Sequence, residues 1–582
     1  MPFSSEFTSV QNLHYGRSPA LDAWLLHFLT ENNLEHSIDP GKNASPEQIR
    51  FMVALKGEAQ VYGPFSDRRL PLLLNTDLDQ DLRDEYNAKW LALAGLVREF
   101  VADSADRKRI LMLCAHKFRQ VLVSPIMIPS RVIKRFITIF LTQSGLTDPY
   151  RERKAKYNRQ AQEALESPEV DRLLNICPDA SHRCERLTDF RFGLDMIELT
   201  RLIILSTLSD IWTGPYYQDA CDRLNATDLC DDHALQILKT VFEPGQERSL
   251  RILYLPDTSG GLMFDLPIIR ALIRQGHRVV LALKEGFYFE APSFWDWEQD
   301  HVLSKALEDA HLFANPRASK NELLQAQREH PLLVISDGTR EELNLYRCSV
   351  TFARAWKEAD LILAKGEPHN RRLIQTGQEF TRDILCFHRN SDGAFQLHHK
   401  PCAEHVVKFN EYQLLDKADE LIAAMRGAKA SGRSVMFYSA VIGSIPGQTD
   451  TAIKLVDTHV RHLREKLEAT FIINPAEHFE EGMDADDLMF MWERVQRSGL
   501  LNVWRFQTVA DIERSFELMG KKIPPVWAGK DSTFSTGCTK EMRIALDMQQ
   551  KNPELQIIGP SPDKFFRRSE YGVGKFSDET LS

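Results

Sequence analysis

Three short stretches of this sequence carry residue types that suit phosphoryl chemistry. The first is Pro256-Asp257-Thr258-Ser259-Gly260-Gly261-Leu262-Met263-Phe264-Asp265. A carboxylate followed by a small Ser-Gly-Gly turn at the mouth of a helix suits a hard cation and an anion together. Asp257 offers oxygen ligands for Mg²⁺ or Mn²⁺. Ser259, Gly260 and Gly261 let backbone N–H groups and the helix N-terminus approach a phosphate. The plain alternative is that Asp257 caps the helix and the glycines only make the turn.

The second stretch, Lys284 to Asp296, holds Glu290 and Asp296, which are positioned in sequence to complete a metal site begun by Asp257. Read alone it is an aromatic-rich surface loop with solvated acids. The third, Ala359-Asp360-Leu361-Ile362-Leu363-Ala364-Lys365-Gly366-Glu367-Pro368-His369-Asn370, ends an apolar run on a lysine and a glycine. A lysine there is suited to holding phosphoryl oxygens and offsetting transition-state charge; a structural Lys-Gly turn is the alternative. Ser336-Asp337-Gly338-Thr339 closes another apolar run and is expected to add a small polar wall.

The elements that would position these turns are legible from periodicity. Arg251–Leu255, Arg278–Leu283, Leu332–Ser336 and Asp360–Ala364 are short β-branched and aliphatic runs, separated by helical stretches such as Leu262–Gln275 and Tyr346–Lys357. That alternation predicts βαβ units and a parallel sheet, with ligands outside the carboxyl ends of the strands. Residues 1–245 read as a helical N-terminal cap, with apolar residues at i, i+3, i+4 spacing over Ala20–Thr30, Ser45–Leu55, Asp81–Ala102, Ser104–Val121, Arg131–Gln143 and Arg151–Leu165. Residues 246–428 read as the α/β domain, and 429–582 as a second, smaller α/β domain built on Ser434–Ser439, Thr470–Ile473, Asn502–Phe506 and Leu555–Ile558.

Composition sets the outer bounds. The chain has 582 residues, 43% hydrophobic and 26% charged, with a net charge of −10. That excludes a disordered chain or a fibre and argues against a general nucleic-acid or anionic-membrane binder, which would select a basic surface. The nine cysteines include no Cys-x-x-Cys pair; Cys177 and Cys184 lie outside zinc-knuckle spacing. With no basic and apolar leader at the N-terminus and no apolar run long enough to span a bilayer, the expectation is a soluble, cytoplasmic protein.

Together the turns resemble the damage-control phosphatase family, the domain-of-unknown-function 89 group. The matching order is Asp-x-Ser-Gly…Phe-Asp, then Pro-Ser-x-x-Asp, then Ala-Asp-Leu-Ile-Leu-Ala-Lys-Gly-x-x-x-Asn. Thr147-Asp148-Pro149-Tyr150-Arg151-Glu152-Arg153-Lys154, with Asn158 after it, looks like the family's Asp-Pro-Tyr…Lys…Asn helix. The resemblance implies a helical cap on a three-layer αβα Rossmann-like domain, and a divalent-metal-dependent phosphatase acting on small phosphorylated metabolites. It implies a cation, Mg²⁺ or Mn²⁺ with Co²⁺ or Ni²⁺ as alternatives, on Asp257 and Thr258 with Glu290 and Asp296. Lys365, Gly366 and Asn370 match the phosphate-facing motif. The sequence departs from the pattern where Thr258 replaces an Asn and where Glu290-Ala291 replaces an Asn-Asp pair.

The expected activity is therefore phosphomonoester hydrolysis, with Asp257 and Lys365 as catalytic residues. Ser259, Gly260, Gly261, Ser336, Asp337, Lys365, Gly366 and Asn370 are the expected substrate-binding set. The rival class is a non-catalytic binder of phosphometabolites or nucleotides that keeps the pocket as a sensor or scaffold. In the last block, Gly443-Ser444-Ile445-Pro446-Gly447-Gln448-Thr449 resembles a P-loop without its lysine, and Ser535-Thr536-Gly537-Cys538 opens a helix as a second candidate anion site. His398-His399 follows no metal-ligand spacing and reads as a solvated hairpin, and Phe565 to Gly572 reads as a docking tail.

Overall fold

The computed structural model describes residues 9–34, 43–44, 46–57, 59–75, 77–175, 187–214, 217–242, 249–445, 447–480 and 482–567. Cys177, Cys184, Pro446, residues 568–572 and the expected boundary near 245 lie outside the described residues. The described chain divides into two units, 1–404 and 405–582.

The first unit is built on seven strands: β1 (Arg251–Leu255), β2 (Arg278–Leu283), β3 (His311–Phe313), β4 (Leu332–Ser336), β5 (Leu361–Lys365), β6 (Asp383–Arg389) and β7 (Phe395–Lys400). They lie in the order β3-β4-β2-β1-β5-β6-β7. All pairs are parallel except β6 with β7. The central strands are apolar at successive positions because both faces are covered, which is why they read as continuous aliphatic runs rather than alternating ones. The hairpin or loop expected at His398-His399 is a hairpin, with β7 as an edge strand paired antiparallel to β6 and His399 exposed.

One sheet face packs on the helix Gly261–Arg274 together with Leu187–Ser206. The other packs on Lys320–Glu329 and Val350–Glu358 and on the segment around Ile49, Met52 and Tyr62. The predicted helices Asp81–Ala102, Ser104–Val121 and Arg131–Gln143 form, as Gln80–Phe100, Ser104–Val123 and Pro129–Ser144, and share a separate core centred on Tyr86, Phe136 and Phe140. The later helices of the N-terminal region do something different: Leu199, Ile203 and Trp212 join the sheet's own core. The expected helix Ser45–Leu55 stops at Ile49, because Val53 pairs as an isolated bridge with Phe380 and the Ala54 amide donates to the Glu379 carbonyl.

The second unit holds β8 (Ser434–Ser439), β9 (Thr470–Ile473), β10 (Val503–Phe506) and β11 (Gln556–Ile558), all parallel, in the order β11-β10-β8-β9. Its core gathers Phe437, Trp492, Trp504 and Phe565, with Ala418, Ile422 and Met425 of the helix Glu411–Ala430. Both sheets are thus mixed α/β structures. Among the described residues no helix is long and apolar enough to cross a membrane.

Candidate active site

β1 ends at Leu255, and Pro256 carries the chain off the sheet into Asp257, beside the end of β5. The Asp257 carboxylate accepts from the Thr258 amide at 2.7 Å, which fixes it at the mouth of the helix Gly261–Arg274. Lys365 is the last residue of β5 and its side chain is 1% exposed. Its ammonium lies 2.8 Å from Asp265 Oδ1 and 3.3 Å from Asp257 Oδ1. Asp265 sits one turn into the helix, fully buried, with the Tyr254 hydroxyl as a further neighbour of its carboxylate.

The electrostatics follow from that burial. Loss of water pushes the Asp265 carboxyl up to about 7, against the pull of the Lys365 charge. Burial works against the Lys365 ammonium as well, but Asp257 and Asp265 outweigh it and hold its pKa above the usual lysine value. Lys365 is therefore a fixed cation with two carboxylates to share.

Two glycines are required here for different reasons. Gly260 has φ +37°, and a Cβ on it would lie 2.2 Å from Cδ1 of Trp212, whose indole covers the turn. Gly366, after Lys365, has φ +101°, and a Cβ would lie 2.8 Å from Asp257 Cβ. Close approach of the Gly366 backbone to the Asp257 side chain thus sets the two strand ends against each other. Gly261 is constrained by its surroundings alone: its Cβ would meet Thr258 Oγ1 at 2.7 Å and Lys365 Nζ at 2.8 Å.

The helical region ties into the same turn. Asn158 accepts from the Gly260 amide at 2.6 Å and donates to Asp300 at 2.8 Å. Glu290 enters through its backbone, with its carbonyl taking the Ser259 amide at 2.8 Å. Its carboxylate makes no hydrogen bond or ion pair with the described residues. The Ser259 hydroxyl is buried and has no partner.

Other expected site residues are held elsewhere. Both oxygens of Asp296 are occupied: Oδ1 accepts from Lys154 at 2.9 Å and from the Ser293 hydroxyl at 2.5 Å, and Oδ2 from Lys154 at 2.7 Å and the Ser293 amide at 2.9 Å. Asp337 is locked by Lys284 at 2.7 Å and by the Thr339 amide and hydroxyl at 2.7 and 2.8 Å. Ser336 donates to Glu285 and accepts from the Gly338 amide. Asn370 is buried; its amide donates to Glu367 at 3.1 Å and its Oδ1 is unpartnered. Among the described residues no three or more His, Cys, Asp or Glu side chains gather as a metal site.

The geometry thus brings together Asp257, Thr258, Ser259, Gly260, Gly261, Lys365 and Gly366, with Glu290 at the rim. A family model described as the damage-control phosphatase ARMT1-like domain matches residues 68–430, more than half of the chain and all of these residues. The chain belongs to this family. Membership supports a phosphatase-type function for the first unit. Among solved structures, a DUF89 family protein from Pyrococcus horikoshii is 20% identical, covering 54% of this chain and 92% of its own, with a TM-score of 0.38. No curated protein matches the sequence.

Some residues of this phosphatase-family site escape sequence reading. Asp265, quoted in the sequence only as the Asp of the Phe-Asp match and given no role there, stands four positions after Gly261, the spacing that returns a helix to the same face. Trp212 comes from a helical region with no local mark of its role. A cleft of about 180 Å³ in the same unit is lined by Arg69, Lys89, Ser130, Glu342, Arg371 and Arg372. Two of its three arginines, Arg371 and Arg372, follow directly on Asn370. Burial opposes ionisation of Glu342, but Arg372, Lys89 and Arg371 prevail and hold its carboxyl down at about 2.

Proposed function

We propose that the first unit is a divalent-cation-dependent phosphatase acting on a phosphomonoester of a small, soluble metabolite. The observation that carries the reading is Lys365: a buried ammonium beside Asp257, at the foot of a Ser-Gly-Gly turn that opens a helix. That is a phosphate cradle with its positive charge already desolvated, where each electrostatic contact is worth more than in water.

The donor set around it fits a hard cation. Asp257 and Glu290 supply carboxylates and Thr258 a hydroxyl, all oxygen. A Mg²⁺-type ion is commonly held by one or two carboxylates and completed by water and substrate phosphate, not by a closed protein cage. The saturated Asp296 is left out of that set. When bound, such an ion would polarise the phosphoryl group and lower the pKa of a water.

The chain's own residues supply the rest. Lys365 and the Gly261 amide hold phosphoryl oxygens and stabilise the charge that spreads over them, the Ser259 and Gly260 amides being taken by Glu290 and Asn158. Glu290, unpaired at the rim, orients the attacking water and accepts its proton. Trp212, packed over Gly260, keeps bulk water from the turn. In the cleft of the same unit Arg69, Lys89, Arg371 and Arg372 outnumber Glu85 and Glu342, which favours an anionic metabolite there.

The test is an assay of the full chain against a panel of phosphometabolites with Mg²⁺, Mn²⁺, Co²⁺ or Ni²⁺. Metal-dependent release of phosphate is expected, lost in Asp257→Ala. A folded sample that turns over no substrate with any of these metals overturns the reading.

One observation favours the rival, a non-catalytic phosphometabolite binder. Ala291 stands where the family pattern has a carboxylate, and Asp296 nearby is fully bonded to Lys154 and Ser293. A binder would be stabilised by phosphometabolites without metal, and Asp257→Ala would lose little of that stabilisation.

A further inference from the structure

The cleft of about 180 Å³ carries more positive charge than its own acids neutralise. Arg69, Lys89, Arg371 and Arg372 line it against Glu85 and Glu342. Asp257, Glu290, Lys365 and the 258–261 turn lie outside its walls, so it is distinct from the phosphoryl seat.

Its cations come from separate parts of the chain. Arg69 closes the short turn Asp67–Arg69, and Lys89 stands four positions after Glu85 on one face of the helix Gln80–Phe100. Arg371 and Arg372 stand in the π-helical turn Asn370–Ile374 after β5, a rare geometry found mostly at functional sites. Pro129 and Ser130 bring in the start of the helix Pro129–Ser144, which has no side-chain cap and no acid in its first turn. The positive end of that helix adds to the same field.

One of the four cations is saturated and three are not. Arg372 donates to Glu342 at 2.9 Å, to the Ser130 hydroxyl at 2.7 Å, and to the Pro64 and Leu343 carbonyls. Lys89 and Arg371 stand 3.6 Å and 4.0 Å from Oε1 of the same Glu342, beyond hydrogen-bond reach, and Tyr288 donates to that oxygen at 3.4 Å. Neither Lys89 nor Arg371 makes a hydrogen bond with the described residues. Arg69 gives Nη2 to Glu85, while its Nη1 is buried and has no partner.

A buried guanidinium donor without an acceptor is costly unless something uses it. Two guanidiniums and an ammonium with free donors suit an oxyanion, whose several acceptors they can share. The volume is below the roughly 300 Å³ at which drug-sized pockets begin, which keeps the ligand small.

We propose that the cleft is a second anion site, in which Arg69 Nη1, Lys89 and Arg371 hold an oxyanion, phosphate or carboxylate, of a small metabolite. This anion is additional to the phosphoryl group at Lys365, and the inference stands without the phosphatase reading. Two sources share its chemistry: a second acidic group on the molecule whose phosphate sits at Lys365, and a separate metabolite.

Amine acylation of the full chain, read at single lysines by mass spectrometry, tests this. The Lys89 side chain is 27% exposed and open to reagent, whereas Lys365 is 1% exposed, so the signal reports the cleft alone. Sulfate is expected to slow acylation of Lys89 several-fold against chloride of equal ionic strength, with the exposed Lys108 unchanged. Arg371→Gln alters a side chain that is 41% exposed and is expected to fold. It should raise the sulfate concentration needed for protection about tenfold, the worth of one charge-assisted hydrogen bond.

Non-hydrolysable ω-phosphonocarboxylates then separate the sources. Protection of Lys89 that tightens with Mg²⁺ marks a second acidic group on one bridging molecule, and protection indifferent to Mg²⁺ marks a separate metabolite. Acylation of Lys89 that sulfate does not slow in the wild type overturns the proposal, whether or not the chain releases phosphate. So does protection in Arg371→Gln that matches the wild type.

Discussion

The ammonium of Lys154 lies 2.7 Å from Oδ2 of Asp296, 142 positions away in sequence. Lys154 is 2% exposed and also meets Asp148 at 2.6 Å, so one buried cation is shared by two carboxylates. This pair fastens the helix Arg151–Leu165 to the loop after β2.

Removing the cation while leaving both acids should be costly. Breaking a buried pair by deleting one partner typically costs about 3–5 kcal/mol, because the other charge is left without compensation. Lys154→Met is expected to lower the unfolding free energy of the first unit, read from urea denaturation, by an amount in that range. The double variant Lys154→Met, Asp296→Asn should recover part of it. A single variant as stable as the wild type would show that the pair does not clamp the helix to the sheet.

A second ion pair sets an acid-sensitive limit. Glu342 accepts from Arg372 at 2.9 Å, and Arg372 also donates to Ser130 at 2.7 Å. The carboxyl stands at about 2, below its ordinary value of 4.5. A depressed carboxyl contributes stability that is present above the unfolded value and is lost as pH falls from there through the folded one. Wild type should thus lose stability from about pH 4.5 downward more steeply than Glu342→Gln, which should be less stable at pH 7. Thermal unfolding of both proteins between pH 3 and 7 checks the sign.

Gly261 and Gly366 should fail differently. An alanine at 366 meets both a φ of +101° and Asp257 Cβ at 2.8 Å, strain of about 1–3 kcal/mol or more. Gly366→Ala is therefore expected to destabilise the fold. Gly261→Ala meets side-chain ends alone, Thr258 Oγ1, Lys365 Nζ and Asp257 Oδ1, so it should fold normally. It displaces the Lys365 ammonium that the proposed function sets against phosphate, and the loss of such a group costs about 10²–10³ in turnover. Thermal melting and phosphatase assays on the pair separate the two effects.

What the sequence makes legible here is local. Strand ends, the Ser-Gly-Gly turn and the Lys-Gly step stand out because apolar runs and glycines mark them, and Asp257 and Lys365 do meet. What stays hidden depends on partners far along the chain. Asp296 reads as a metal ligand until Lys154 is seen to saturate it. Trp212 and Leu199 read as cap residues because helical periodicity shows which face is apolar, not what that face covers. The short turn Pro46–Ile49 reads as a full helix because nothing local reveals the pairing of Val53 with Phe380.

The buried pair of Lys365 and Asp265 should give the site a pH response near neutrality. Burial holds the Asp265 carboxyl at about 7, so above that pH it is ionised and takes a share of the Lys365 charge. Below it the carboxyl is neutral, and Lys365 is left with Asp257 and any bound anion. Sulfate, whose charge is constant over this range, should bind several-fold more tightly at pH 6 than at pH 8, with a midpoint near 7. In Asp265→Asn the affinity should be high and flat. The linked stability has the opposite profile to that of Glu342. A carboxyl raised from 3.8 to about 7 favours the folded state fully below 3.8, and that contribution is lost as pH rises through 7. The difference in unfolding free energy between wild type and Asp265→Asn should therefore shrink steadily from pH 4 to pH 7. A sulfate affinity that does not change with pH in the wild type would show that Asp265 does not compete for Lys365.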